Sequence, residues 1–125
     1  MISDTDYDVV IIGAGIVGLT AALALCDSHL RVAIVDRQMP ATLTNLIHTE
    51  QRVSAIAPVT IKIFHALQAW QEMKTLRVSP YREMMVWDAN GKGHIHFNSA
   101  DVGSATLGYI IENNIIQSAL LSQLN

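Results

Sequence analysis

The stretch Tyr7-Asp8-Val9-Val10-Ile11-Ile12-Gly13-Ala14-Gly15-Ile16-Val17-Gly18-Leu19-Thr20-Ala21-Ala22-Leu23-Ala24-Leu25 decides how this chain folds. Val9 to Ile12 is a short β-branched run, the composition of a buried parallel strand. Gly13, Gly15 and Gly18 follow at G-x-G-x-x-G spacing, and Leu19 to Leu25 is rich in the helix formers Ala and Leu. In a strand–turn–helix unit that binds a dinucleotide, each glycine has a separate task. Gly13 makes the tight turn off the strand, Gly15 lets a pyrophosphate approach the backbone, and Gly18 lets the helix pack close to the strand. The helix then turns its free N–H groups and the positive end of its dipole toward the phosphates.

Working outward, Leu30-Arg31-Val32-Ala33-Ile34-Val35-Asp36 reads as a second apolar strand ending in an acid. Asp36 lies 23 positions after Gly13, close to the spacing of about 20 at which an acid binds an adenosine ribose hydroxyl. Strand, glycines, helix, strand and terminal acid, in that order, point to a dinucleotide site on a Rossmann-like βαβ core of the α/β class. A membrane span is the competing reading, because Val9 to Cys26 carries no charge. Asp4, Asp6 and Asp8 precede it where a signal peptide needs positive charge, and three glycines within six residues suit a turn better than a helix interior.

Composition narrows the function classes. The 125 residues are 50% hydrophobic and 15% charged, which indicates a globular protein with high burial. A net charge of −3 and a pI near 5.9 argue against a broad nucleic-acid surface. A single cysteine excludes an intramolecular disulfide framework; Cys26, among Ala and Leu late in the first helix, is expected to be a core thiol.

Arg37 to Gln51 has no strong period and reads as a loop, with Met39 to Gln51 expected to be mobile. Ile56, Val59, Ile63, Leu67 and Trp70 recur at helical spacing as a core stripe, with Pro58 in the first turn. Arg82 to Asp88 and Gly93 to Phe97 read as strands joined by the Asn90-Gly91 turn signal, a hairpin. His94 and His96 share one face of the second strand, but no nearby cysteine or paired carboxylate completes a metal site, so they read as solvent-facing. Asn98 to Thr106 reads as a flexible stretch, followed by a strand over Leu107 to Glu112. A final amphipathic helix has Ile116, Leu120 and Leu124 on one face and Asn113 or Asn114 as its cap. No Ser-His-Asp or Cys-His constellation assembles, so no catalytic side chain is assigned. The last helix has no stop signal, and a dinucleotide-binding sheet needs more parallel strands than are visible, so the chain is expected to be part of a longer protein.

Beyond the glycines, the sequence resembles the N-terminal part of the flavin-dependent aromatic hydroxylases of ubiquinone biosynthesis, a branch of the para-hydroxybenzoate hydroxylase class. Five blocks carry the resemblance in the family's order: Asp8 to Gly18, Arg52 to Ile56, Leu67 to Trp70, Tyr81 to Asp88 and Leu107 to Asn113. It implies that Gly13, Gly15 and Gly18 hold the FAD pyrophosphate and that Asp36, where the family more often has glutamate, holds the adenosine ribose, with Arg37 beside it. Arg52 corresponds to an arginine near the flavin phosphates, and Gln117 to a polar position facing the cofactor. Gln68 stands where a glycine is usual.

On domains, the resemblance places 1–80 and 103–125 in the FAD-binding domain and makes 81–102 the start of a substrate-binding sheet. The family's Asp-Gly motif for FAD and NAD(P)H and its Gly-Asp motif for the ribityl chain do not occur in these residues, and are expected beyond Asn125. The implied activity is hydroxylation of a polyprenylated phenol by oxygen, with FAD as cofactor and NAD(P)H as reductant. The implied location is cytoplasmic and peripheral to the inner membrane, and the fragment itself is expected to self-associate and to lack hydroxylase activity. The alternatives are an FAD oxidase or dehydrogenase sharing only the cofactor domain, and a non-enzymatic dinucleotide-binding module.

Overall fold

The computed structural model describes residues 6–40 and 50–124. Most of the loop expected to be mobile, Met39 to Gln51, lies outside the described residues, as does Asp4. Strand β1 (Val9–Ile12), helix α1 (Ile16–Leu25) and strand β2 (Val32–Val35) form a parallel βαβ unit in which Val9 pairs with Val32 and Ile12 with Val35. The Asp8 carboxylate ties the strand starts together, accepting from the Arg31 backbone N–H at 2.7 Å and from its guanidinium at 3.2 Å. This exposed pair sets register more than it adds stability.

A second sheet has the order β3-β7-β4, all antiparallel, from β3 (Val53–Ile56), β4 (Ser79–Tyr81) and β7 (Gly108–Glu112). Strand β4 was not foreseen: it is three residues long and contains Pro80, which an edge strand tolerates because its missing N–H costs no inner ladder bond. The hairpin of β5 (Glu83–Trp87) and β6 (His94–Asn98) forms where the Asn-Gly signal placed it.

The helical stripe from Ile56 to Trp70 is not one helix. Ile56 ends β3, α2 spans Pro58–Ala66, and α3 begins anew at Trp70 and runs to Leu76. Gln68 separates the two helices at φ 61°, in the left-handed region. Nor is the stripe uniformly core: Val59 and Ile63 face solvent, while Phe64, Ala69, Trp70 and Met73 are buried. The segment read as flexible between Asn98 and Thr106 holds a turn of 3-10 helix (Ser99–Val102), started by the Asn98 side chain accepting from the Ala100 N–H.

Helix α4 (Asn113–Ser122) completes the core by packing against α1 and α3. Its Ile115, Ile116, Ala119 and Leu120 are fully buried with Leu19, Leu23, Phe64, Trp70 and Met73, and Trp70 meets the edge of Tyr109 at 5.1 Å. Cys26 is a correction: it is exposed at the C-cap of α1, because the buried face of that helix is Leu19, Ala22 and Leu23.

Candidate functional site

The site is built where β1 ends. Gly13 turns the chain at φ 106°, a conformation L side chains rarely adopt. Gly18 sits so close beneath that turn that a Cβ would lie 1.9 Å from the Gly13 carbonyl oxygen. Nothing stands within 4 Å of a Cβ at Gly15, and its backbone faces open space. The first and third glycines are therefore required by the fold, whereas the second leaves room for something else.

The loop is held from both sides at one residue. The Ala14 N–H donates to Asp36 Oδ2 at 2.6 Å, and the Ala14 carbonyl accepts from Gln117 Nε2 at 2.7 Å. The second bond spans 103 positions of sequence and docks α4 on the loop. The other oxygen of Asp36 accepts from the Gln38 N–H at 3.0 Å. These N–H donors, Gln38 first and then Ala14, hold the Asp36 carboxyl below the usual carboxylate range, so it is an anion at neutral pH.

Beside the loop lies a groove of about 630 Å³, lined by Gly13, Gly15 and Gly18, by Arg52 from the start of β3, and by Glu50, Asn114 and Gln117. A second concavity of about 500 Å³ lies over the ends of β1 and β2, lined by Ile12, Gly13, Val35, Asp36 and Arg37. Gly13, Gly15, Gly18, Arg52 and Gln117 are thus brought to one groove, and Asp36 and Arg37 to the adjoining surface.

Sequence reasoning missed Glu50, Asn113 and Asn114 as part of this groove. Asn113 and Asn114 were read only as candidate caps of α4. In fact Glu112 occupies the N-cap position without a side-chain cap, and the first N–H groups are met from elsewhere. Asn113 N–H donates to the Arg52 carbonyl at 2.9 Å and Asn114 N–H to Glu50 Oε2 at 3.0 Å. Asn113 Oδ1 accepts from the Ser54 hydroxyl at 2.6 Å. The i, i+3 spacing of Asn114 and Gln117 on a helix was the available signal that they share a face.

Behind the groove, buried Glu112 accepts from Arg77 Nε at 2.6 Å and from the Glu50 N–H at 2.8 Å. The Arg77 guanidinium above all, and then the Glu50 N–H, hold its carboxyl below the usual range despite burial. On the hairpin, His94 and His96 are exposed, with His96 Nε2 3.4 Å from Glu83. Among the described residues no three His, Cys, Asp or Glu side chains gather in a metal-binding group.

The geometry suits a dinucleotide: a backbone approach left open at Gly15, a helix N-terminus behind it, a fixed carboxylate at the end of β2 and a cation beside the groove. Comparison with known proteins agrees. Residues 8–92 match the FAD dependent oxidoreductase family. A ubiquinone biosynthesis monooxygenase COQ6 of Dictyostelium discoideum is 36% identical over 97% of this chain, and 3-demethoxyubiquinol 3-hydroxylase of Escherichia coli is 29% identical over 94%. The chain spans 27% and 30% of the length of those two proteins. Among solved structures, PqsL of P. aeruginosa, in complex with 2-aminobenzoylacetate, shares the fold with a TM-score of 0.64 at 21% identity, over 94% of this chain and 30% of its own. With the βαβ unit, the glycine loop and the matched stretch in agreement, the chain belongs to the family of FAD-dependent oxidoreductases.

Proposed function

We propose that the protein at its full encoded length is an FAD-dependent monooxygenase that hydroxylates a polyprenylated phenol ring in ubiquinone biosynthesis. The observation that carries this reading is the similarity to two ubiquinone-pathway hydroxylases along nearly the whole chain. Bound FAD supplies the chemistry: two electrons from NAD(P)H reduce oxygen, one oxygen atom enters the ring and the other leaves as water.

This chain's residues bind and orient. Gly15 and the start of α1 receive the pyrophosphate, with Arg52 adding a charge-assisted contact. Asp36 accepts the hydroxyls of the adenosine ribose, with Arg37 beside it, and Gln117 holds the loop by its Ala14 bond while facing the groove. In the domain assignment we favour, 1–80 and 103–125 belong to the cofactor domain and 81–102 begins the substrate sheet. A prenyl-tailed substrate favours peripheral attachment to a membrane, and no helix among the described residues is long and apolar enough to cross one.

The matched family is broader than hydroxylases, and this keeps an FAD oxidase or dehydrogenase as the second reading. Phenol-dependent NAD(P)H oxidation, with the hydroxylated ring identified by mass spectrometry, is the deciding assay. Turnover of NAD(P)H with no phenol requirement and no hydroxylated product would favour the second reading.

A further inference from the structure

The groove beside the glycine loop is chemically mixed. Its lining includes the glycine backbone, the start of α1 and Arg52, groups that attract anions and acceptors. It also includes the Glu50 carboxylate, which accepts from the Asn114 N–H at 3.0 Å, and Asn114 itself, whose Oδ1 is buried without a hydrogen-bond partner. A buried acceptor left unmade is costly, and native structures keep one where a ligand or water completes it. The orphan atom lines the same groove as the glycines, on the helix face that carries Gln117.

A phosphate cannot satisfy the Asn114 Oδ1 acceptor. Its oxygens only accept, and the Asn114 backbone N–H is already given to the Glu50 carboxylate. A hydroxyl donates to Oδ1, and because it also accepts, it satisfies the Asn114 amide in either orientation. We infer that Asn114 binds a hydroxyl of the polyol chain that follows the pyrophosphate in FAD. This rests on the FAD reading above and adds to it a residue that distinguishes FAD from its adenosine half.

The test uses ADP, which carries the adenosine and phosphates but no polyol chain, alongside FAD. Each is titrated into the apoprotein at its full encoded length, FAD by quenching of flavin fluorescence and ADP by calorimetry. Asn114→Ala should weaken FAD about 3- to 10-fold, the range for one neutral hydrogen bond, and leave ADP affinity and the melting temperature near wild type. Asn114→Asp, which keeps the acceptor, should bind FAD better than Asn114→Ala does. Equal losses for FAD and ADP in Asn114→Ala would place Asn114 on the phosphates and overturn the inference. So would Asn114→Asp losing both ligands more severely than Asn114→Ala, or an alanine variant with unchanged FAD affinity. Wild-type protein that binds neither ligand would instead bring down the FAD reading itself, and this inference with it.

Discussion

Two glycines three positions apart in one loop, Gly15 and Gly18, separate folding from ligand binding. Gly18→Ala drives a methyl into the Gly13 carbonyl, a backbone atom that no side-chain rotation can clear. Helix α1 must then lift from β1, which we expect to cost about 3 kcal/mol or more, toward the severe end for single substitutions. Gly15→Ala meets nothing within 4 Å and sits at φ −76°, which alanine adopts freely. It should unfold in urea with a midpoint near wild type while losing FAD, since its methyl occupies the space a pyrophosphate needs. If Gly15→Ala bound FAD as wild type does, the phosphates would not lie at that backbone. Gln68 gives the opposite kind of expectation. It holds φ 61° without being a glycine, a strain of about 1 kcal/mol. Gln68→Gly relieves that strain but gives back part of it by loosening the unfolded chain, so a gain of up to ~1 kcal/mol is expected in thermal unfolding.

At the scale of elements, β1, α1 and β2 were legible because their signals are local: a β-branched run, glycines at fixed spacing and an acid after the next strand. The break between α2 and α3 was not legible in periodicity, since the apolar period runs on through Leu67 and Trp70 while the turn is made by Gln68, which has no turn signature of its own; only the resemblance, with a glycine usual at that position, pointed to a turn. Hydrogen bonds that shape the groove were also out of reach, because they join residues far apart in the sequence, such as Glu50 with Glu112 and Ala14 with Gln117. Gln117 was singled out only through resemblance; its bond to Ala14 is what the structure adds.

Glu112 is the element-scale hinge of that arrangement, joining α4 to Arg77 and to the segment that carries Arg52. Its folded pKa is lowered from 4.5, so the stability it contributes is complete above about that pH and is lost as pH falls through the folded value. Glu112→Gln cannot accept from Arg77 and Glu50 with the same charge, and should cost about 2 kcal/mol at neutral pH. Asp36 and Asp8 titrate in both proteins, so their contributions cancel in the difference. The wild-type and variant stabilities, followed by denaturant unfolding from pH 7 downward, should converge below pH 4.5. A gap that stayed constant would mean that the Glu112 charge contributes nothing.

At the scale of the whole molecule, apolar residues of two sheets stand exposed. Among the described residues the parallel β1–β2 sheet has two strands, and Ile12 at its end is 89% exposed. Parallel sheets are stable when both faces are covered, and a two-stranded sheet has little stability of its own. The hairpin register puts Met84, Val86, Ile95 and Phe97 together on one face, and all four are exposed. An apolar strand face with a free edge is a template for pairing with another chain. The 125-residue chain by itself is therefore expected to associate through this face, and sedimentation velocity across a dilution series should show species larger than 13.7 kDa. Val86 and Ile95 lie directly opposite each other, so Val86→Thr with Ile95→Lys should shift the distribution toward monomer without disturbing the buried core around Trp70 and Leu120. A wild-type chain that sedimented as a monomer at every concentration would show that the exposed hairpin face is tolerated by water and does not drive association.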